Sequence, residues 1–139
     1  TQWRSSAASD VYKRQMKLET VLNSELDVIF CFDSYEQVPF ELIKKNLQDN
    51  NKLKLILAYE PTWAIGTGET ASIDHIEEIH IKVKNTLSEY SLKNIPILYG
   101  GSVNPSNSNE ILSSANVDGV LVGGASTKID QLLGIVNSI

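Results

Sequence analysis

Short apolar runs alternate along the chain with apolar residues at helical spacing, and this alternation constrains the fold most strongly. The strand-like runs lie at 28–31, 53–59, 95–99 and 117–122, and the second is apolar almost without interruption. Such a run is typical of a strand that is buried on both faces, as in parallel sheets. Strands separated by helices favour an α/β fold, either a barrel or a doubly wound sheet.

Apolar stripes of helical period fill the intervals between these runs. Ser72 is a plausible N-cap for the longest of them. Shorter helices are predicted at 107–114 and 129–136. The residues that define the three main stripes are Leu18, Val21, Leu22; Phe40, Leu42, Ile43, Leu47; and Ile76, Ile79, Val83, Leu87.

Residues 1–15 are polar, rich in Ser and Ala, and lack both periods. We therefore predict that 1–15 are a non-native or disordered leader and that 16–139 form the folded part of the chain. A flexible native extension is the alternative. No function is assigned to this segment.

The composition restricts the possible partners. The chain has 139 residues with 12 basic and 17 acidic side chains, a formal net charge of −5, which argues against nucleic-acid or anionic-membrane binding. Cys31 is the only cysteine, so an intrachain disulfide and a Cys-rich zinc site are excluded. With no apolar run near the ~20 residues of a membrane span, we expect a soluble cytoplasmic protein with a small-molecule or protein partner.

The segment 58–68 carries the strongest chemical signal. Glu60 ends the second predicted strand, and Pro61 stops the strand pairing, so the carboxylate would project from a rigid support. The residues that follow comprise a stiff proline, an apolar tip and two glycines. This composition is typical of a lid that closes over a ligand and excludes water. A solvated glutamate followed by an ordinary surface turn is the alternative.

Two later loops share one design, because each places paired glycines directly after a strand. Gly100 and Gly101 follow the third strand, and Gly123 and Gly124 follow the fourth. Without Cβ atoms, such loops let backbone N–H groups approach a phosphate closely. Tight turns also use glycine, but glycine loops after the last two strands match the usual phosphate site of barrels.

Together these segments resemble the triosephosphate isomerase family. The resemblance rests on AYEPTWAIGTG at 58–68, YGGSV at 99–103 and VDGVLVGGAS at 117–126. It implies a parallel (β/α)8 TIM barrel, of which this chain holds the C-terminal half, strands five to eight, since the fold normally takes about 250 residues. It also implies a homodimeric enzyme of glycolysis and gluconeogenesis that interconverts D-glyceraldehyde 3-phosphate and dihydroxyacetone phosphate through an enediolate, without a metal ion or organic cofactor.

Carried over residue by residue, the resemblance makes Glu60 the general base. Leu121 and Ile65 would shield its carboxylate from water, and backbone N–H groups would bind phosphate at Gly66, Ser102, Gly123 and Gly124. The implied lid consists of Pro61, Thr62, Trp63, Ala64, Ile65, Gly66, Thr67 and Gly68.

Other residues depart from the family pattern. The electrophilic histidine, the active-site lysine and its neighbouring asparagine belong to the first half of the family sequence, and we expect His75 and His80 to be surface histidines instead. Cys31-Phe32-Asp33-Ser34 stands where the family has Cys-x-Gly-Glu, and we expect Cys31 to be buried in the barrel. The fragment is therefore predicted to be inactive alone. The alternatives are a non-catalytic phosphate-binding half-barrel module or another phosphosugar-handling barrel.

Overall fold

The structure is a computed structural model that describes residues 2–24, 26–49, 54–64 and 70–138. Over these ranges helices and strands alternate, with 3₁₀ turns at Tyr35–Gln37, Thr62–Ala64 and Gly124–Thr127. None of the helices in these ranges is both long and apolar enough to cross a bilayer. In chain order the elements are α1 (Gln2–Leu22), β1 (Val28–Phe32), α2 (Phe40–Asp49), β2 (Leu55–Tyr59), α3 (Ile73–Glu89), β3 (Ile97–Tyr99), α4 (Ser108–Leu112), β4 (Gly119–Val120) and α5 (Ile129–Val136).

The described strands form one parallel sheet in the order β1-β2-β3-β4. Phe30 pairs with Leu57, Leu57 with Ile97, and Tyr99 with Val120. A doubly wound sheet reverses its strand order at a switch point, whereas a barrel adds each strand beside the previous one. The sheet therefore confirms the predicted α/β class and has the architecture of a partial TIM barrel.

One face of the sheet is covered by the helices and holds the core. Successive residues of a strand point to opposite faces, so every second residue of each strand contributes to this side. The helix side adds Leu18, Ile43, Ile76, Val83 and Ile111, all buried. The buried strand residues of this face are Phe30, Phe32, Leu55, Leu57, Tyr59, Ile97 and Tyr99.

The opposite face, here called the open face, carries Ile29, Cys31, Ile56 and Leu98, which the register places on one side. In a closed barrel this face lines the interior. Ile29 is 50% exposed, and Cys31 is also exposed. The prediction that Cys31 is buried is therefore wrong. Cys31 lies on β1, which has a neighbouring strand on one side only, so its open-face side chains are the least covered.

Helix α3 is locked to the sheet by polar contacts as well as by packing. The predicted N-cap is confirmed, since the Ser72 hydroxyl accepts a hydrogen bond from His75 N. His80 is fully buried, so its assignment to the surface is wrong. Its Nδ1 lies 3.0 Å from Asn116 O, and this contact with the segment before β4 draws the ring inward. Lys84 Nζ lies 2.9 Å from Asp118 Oδ1 one turn further on.

Helix α1 begins at Gln2 and runs without a break to Leu22. Residues 2–15, for which the sequence predicts no regular element, are thus helical in this structure. Leu18 and Leu22 of the same helix are buried in the core, whereas Val11, Tyr12 and Met16 are exposed. The non-native origin of 1–15 stays a prediction.

Candidate active site

Glu60 lies directly after β2, at the carboxyl end of the sheet. Its backbone N–H donates a 2.7 Å hydrogen bond to Phe32 O, so the residue is tied to the neighbouring strand β1. The next residue, Pro61, is buried and has no N–H to extend the pairing. On the other side, Gly100 N donates to Tyr59 O at 2.8 Å. The half-buried Glu60 is thus held between two backbone hydrogen bonds to adjacent strands.

The thiol of Cys31 is a polar neighbour of Glu60 on the open face. Partial burial of the sulfur, the negative charge of Glu60 and hydrogen bonding with its carboxylate raise the pKa of Cys31 to about 11. Each of these effects favours the neutral thiol over the thiolate. The Cys31 thiol therefore stays protonated beside Glu60 at neutral pH.

A cavity of about 440 Å³ opens beside these two groups. Asp33, Thr62 and Glu60 line it from the strand ends, and α1 contributes Arg14 and Lys17. Arg14 Nη1 also donates to Gln37 Oε1 at 3.1 Å, and the same oxygen accepts from Asp33 N. Among the described residues, no cluster of three or more His, Cys, Asp or Glu side chains is arranged to hold a metal ion.

A polar network connects the loop after β3 with the residues on either side of 65–69. Ser102 Oγ donates to Ala64 O at 2.8 Å, before that segment. Beyond residue 69, Thr70 Oγ1 donates to Ser102 O at 3.1 Å. Asn107 Nδ2 donates to Thr70 Oγ1 and also to Ser102 O. Ala71 N donates to the hydroxyl of Tyr99 at 3.2 Å. The residues on either side of 65–69 are thereby attached to the β3 loop.

The loop after β4 presents an open backbone. A Cβ built on Gly123 or Gly124 would meet no atom within 4 Å. Packing within the described protein therefore does not explain why these positions are glycine. Gly124 begins a short 3₁₀ turn in which Ser126 N donates to Gly123 O at 3.0 Å. The free space leaves the backbone accessible to a ligand.

Comparison with known proteins agrees with this arrangement. The family model described as triosephosphate isomerase matches residues 4–139. The chain belongs to the triosephosphate isomerase family. It is 41% identical to the triosephosphate isomerase of Flavobacterium psychrophilum, covering 88% of this chain and 56% of that protein. With the Borreliella burgdorferi triosephosphate isomerase it shares 41% identity, over 74% of this chain and 44% of the relative. The chain thus spans about half the length of the curated relatives it matches.

Three of the predicted site residues follow neighbouring strands at the carboxyl edge of the sheet. Glu60, Ser102 and Leu121 follow β2, β3 and β4 respectively, and the register puts Leu121 on the far side of Gly100 from Glu60. Pro61, Thr62, Trp63 and Ala64 of the predicted lid continue from Glu60, and Thr62–Ala64 form a 3₁₀ turn. The predicted site residues Ile65, Gly66, Thr67 and Gly68 lie outside the described residues.

Sequence reasoning missed several residues that surround this candidate site. Thr70 and Asn107 were assigned no role, although they anchor the β3 loop. Lys17 lines the cavity beside Glu60, and His75 contacts Tyr59, the last residue of β2. Asn107 precedes a short helix, a position where a polar side chain signals capping. For the other three the sequence offers no local signal, because their partners lie far away along the chain.

Proposed function

We propose that this chain supplies strands five to eight of a triosephosphate isomerase barrel, and that the complete protein interconverts D-glyceraldehyde 3-phosphate and dihydroxyacetone phosphate. The three sequence motifs support this assignment, since they occur in the family's order along the strands. The share of the relatives that the chain covers, 56% for the Flavobacterium psychrophilum protein, fits half a barrel. The four parallel strands described are half of the eight in such a barrel.

Glu60 is the general base of the proposed reaction. Its carboxylate takes a proton from the carbon next to the substrate carbonyl, which leaves an enediolate, and it returns the proton to the neighbouring carbon. The observation that carries this role is the position of Glu60 at the carboxyl end of β2, between backbone bonds to β1 and β3. A rigidly held carboxylate there is oriented before substrate arrives, and accurate orientation lowers the barrier.

Phosphate binding is the proposed role of the glycine loops. Gly123 and Gly124 would donate backbone N–H groups from the loop after β4, together with Ser102 after β3 and Gly66 in the lid. The empty space around the two glycines supports this role, because a phosphate can approach the backbone there. Leu121 would shield the base from water beneath a lid that runs from Pro61 to Gly68.

Family membership supports proposals on the oligomeric state, location and substrate of the complete protein. We propose a homodimeric cytoplasmic enzyme of glycolysis and gluconeogenesis, whose partner is a small phosphosugar rather than nucleic acid or a membrane. The formal net charge of −5 supports the exclusion of nucleic acid. The proposed chemistry moves only protons, so it calls for neither a metal ion nor an organic cofactor.

The test is kinetic and uses a barrel chimaera, in which residues 16–139 follow the N-terminal part of the Flavobacterium psychrophilum relative. Glu60→Gln removes the base and is expected to lower kcat by about 10² to 10⁴-fold with little change in KM. Glu60→Asp withdraws the carboxylate by one methylene, and a shift of about 1 Å can cost about a hundredfold. Glu89→Gln, an exposed carboxylate at the end of α3, is the matched control.

Thermal melts of the same variants separate catalysis from folding. Near-normal kcat in Glu60→Gln, or a loss explained by unfolding, would refute the role of Glu60. The 139-residue chain by itself is expected to show no turnover above background, since the polarising histidine and the lysine are expected from the other half. Phosphate binding by the chimaera without turnover would favour the non-catalytic phosphate-binding module.

A further inference from the structure

His75 occupies the first turn of α3, beside the strand that leads to Glu60. Its Nε2 lies 2.9 Å from the hydroxyl of Tyr59, the residue directly before Glu60. The two rings meet edge to face, with centroids 6.1 Å apart. Tyr59 is only 2% exposed, so its phenol has few alternative partners. His75 therefore fixes the side chain on one side of the base.

The same imidazole also contacts the residue that follows the base by three positions. The ring centroids of His75 and Trp63 are 6.3 Å apart at an angle of 44°. Trp63 lies in the Thr62–Ala64 turn and is 50% exposed. His75 thus touches Tyr59 and Trp63, which flank Glu60, Pro61 and Thr62 in the chain.

The charges around His75 favour one arrangement of protons. His75 Nδ1 lies 4.0 Å from Glu78 Oε2 on the same helix. Burial, with nearby Tyr99, Asp33 and Glu78, raises the pKa of Tyr59 to about 12, so the phenol keeps its proton at neutral pH. The protonated phenol of Tyr59 can therefore donate to His75 Nε2, while Nδ1 of the same ring faces Glu78.

We propose that His75 is a positioning residue for Glu60, which holds Tyr59 through a hydrogen bond and Trp63 through ring contact. This inference rests on the proposed function, since it assigns a support to the base of that reaction. Rigid contacts behind a catalytic group fix its orientation, and small misplacements of such a group are costly. His75 itself does not touch the reacting atoms.

Two substitutions divide the proposed role. Glutamine places an amide near the position of Nε2, so His75→Gln keeps a hydrogen bond to Tyr59 and loses the ring contact with Trp63. His75→Phe keeps the ring and loses the hydrogen bond, and His75→Ala loses both. In the barrel chimaera we expect His75→Ala to lower kcat by about 10- to 100-fold with KM nearly unchanged, and each partial variant to lose less. Asp74→Asn, on the same turn but lining a separate hollow with Thr70 and Asn107, is the control.

The contact itself is tested in the 139-residue chain, without any need for turnover. The chain has two tryptophans, so Trp3→Phe leaves Trp63 as the only indole. A ring packed against an indole limits the access of a soluble quencher such as acrylamide, and the centroids of His75 and Trp63 lie 6.3 Å apart. At constant neutral pH we expect acrylamide to quench Trp63 more strongly when His75→Gln is added.

The outcomes separate the two proposals. Equal acrylamide quenching of Trp63 in Trp3→Phe with and without His75→Gln would overturn the His75 contact. Loss of activity in Glu60→Gln combined with normal kcat in His75→Ala would overturn the positioning role alone. Normal kcat in Glu60→Gln would remove the proposed function, while the fluorescence would still report on the His75 contact.

Discussion

The side chain of Glu60 lies across Gly100, so closely that a Cβ on Gly100 would stand 2.6 Å from Glu60 Cγ and 3.1 Å from Glu60 Oε1. The glycine after β3 therefore makes room for a carboxylate that comes from β2. Its neighbour Gly101 makes room for the side chain of Tyr99 on β3, because a Cβ on Gly101 would collide with that phenol. The paired glycines of this loop are explained by contacts within the protein.

Gly100→Ala is expected to displace the Glu60 carboxylate and to lower kcat in the barrel chimaera by about a hundredfold, with a small effect on KM. Gly119→Ala is the matched control, because its Cβ would meet only the flexible end of Leu98, at 3.0 Å. Steady-state kinetics of both variants check this prediction. Equal kcat values for Gly100→Ala and Gly119→Ala would mean that the Glu60 side chain can shift away from the new Cβ without loss of activity.

Gly124→Val is expected to raise KM for triose phosphate by about tenfold, because a branched side chain blocks the close approach of the phosphate to the backbone. The effect falls on KM because part of the phosphate binding energy is already present in the ground state. Folding should change little, since no atom within 4 Å opposes a Cβ at Gly124. Kinetics and thermal melts are measured together. An unchanged KM would remove Gly124 from the phosphate site.

His80 is expected to make the fold sensitive to acid. Burial lowers the pKa of His80 below its ordinary value of 6.5, and Nε2 has no hydrogen-bond partner among the described residues. The unfolded chain therefore binds a proton at His80 at a higher pH than the native state does. The stability that neutral His80 contributes is present above about pH 6.5, and it is lost as the pH falls through the native pKa.

His80→Asn tests this dependence, since its amide can still donate to Asn116 O but lacks the second ring nitrogen. The free energy of unfolding, measured with urea from pH 8 to pH 5, should depend less on pH in the variant than in the parent chain. His75→Gln is the control for general effects of removing a histidine. An unchanged slope in His80→Asn would assign the acid sensitivity to other groups.

Cys31 is expected to react slowly with iodoacetamide despite its exposure. A thiol with a pKa of about 11 instead of the ordinary 9.0 has about a hundredfold less thiolate at neutral pH. Glu60→Gln removes a neighbouring negative charge and should speed the alkylation. Rates measured from pH 7 to pH 10 check both expectations. A native chain that reacts as fast as the urea-unfolded chain would contradict the raised pKa.

Local patterns were sufficient to predict most of the fold. The apolar run before Glu60 and the stripe Ile76, Ile79, Val83, Leu87 predicted β2 and α3, because periodicity and capping are properties of neighbouring residues. The alternation of helices and strands predicted parallel strands, but it did not fix their order in the sheet. Glu60 was found at the end of its strand in the same way.

The environment of individual polar residues could not be predicted in this way. His80 is buried because it contacts Asn116, which is 36 residues away in the chain. Thr70 and Ser102, 32 residues apart, meet only once β2 and β3 are paired. Cys31 has the apolar neighbours of a buried residue, but its burial depends on what covers the edge strand.

The two faces of the sheet have different consequences for sequence change. Side chains of the helix-covered face, such as Leu57 and Ile97, are fully enclosed, and their truncation to alanine costs about 2 to 5 kcal/mol. Those of the open face, such as Ile29, have freedom to vary in the isolated chain. A saturation library scored for folding should therefore alternate between intolerant and permissive positions along β1. The same library scored for catalysis in the chimaera should lose that alternation, because closing the barrel would turn every permissive position into an interior one.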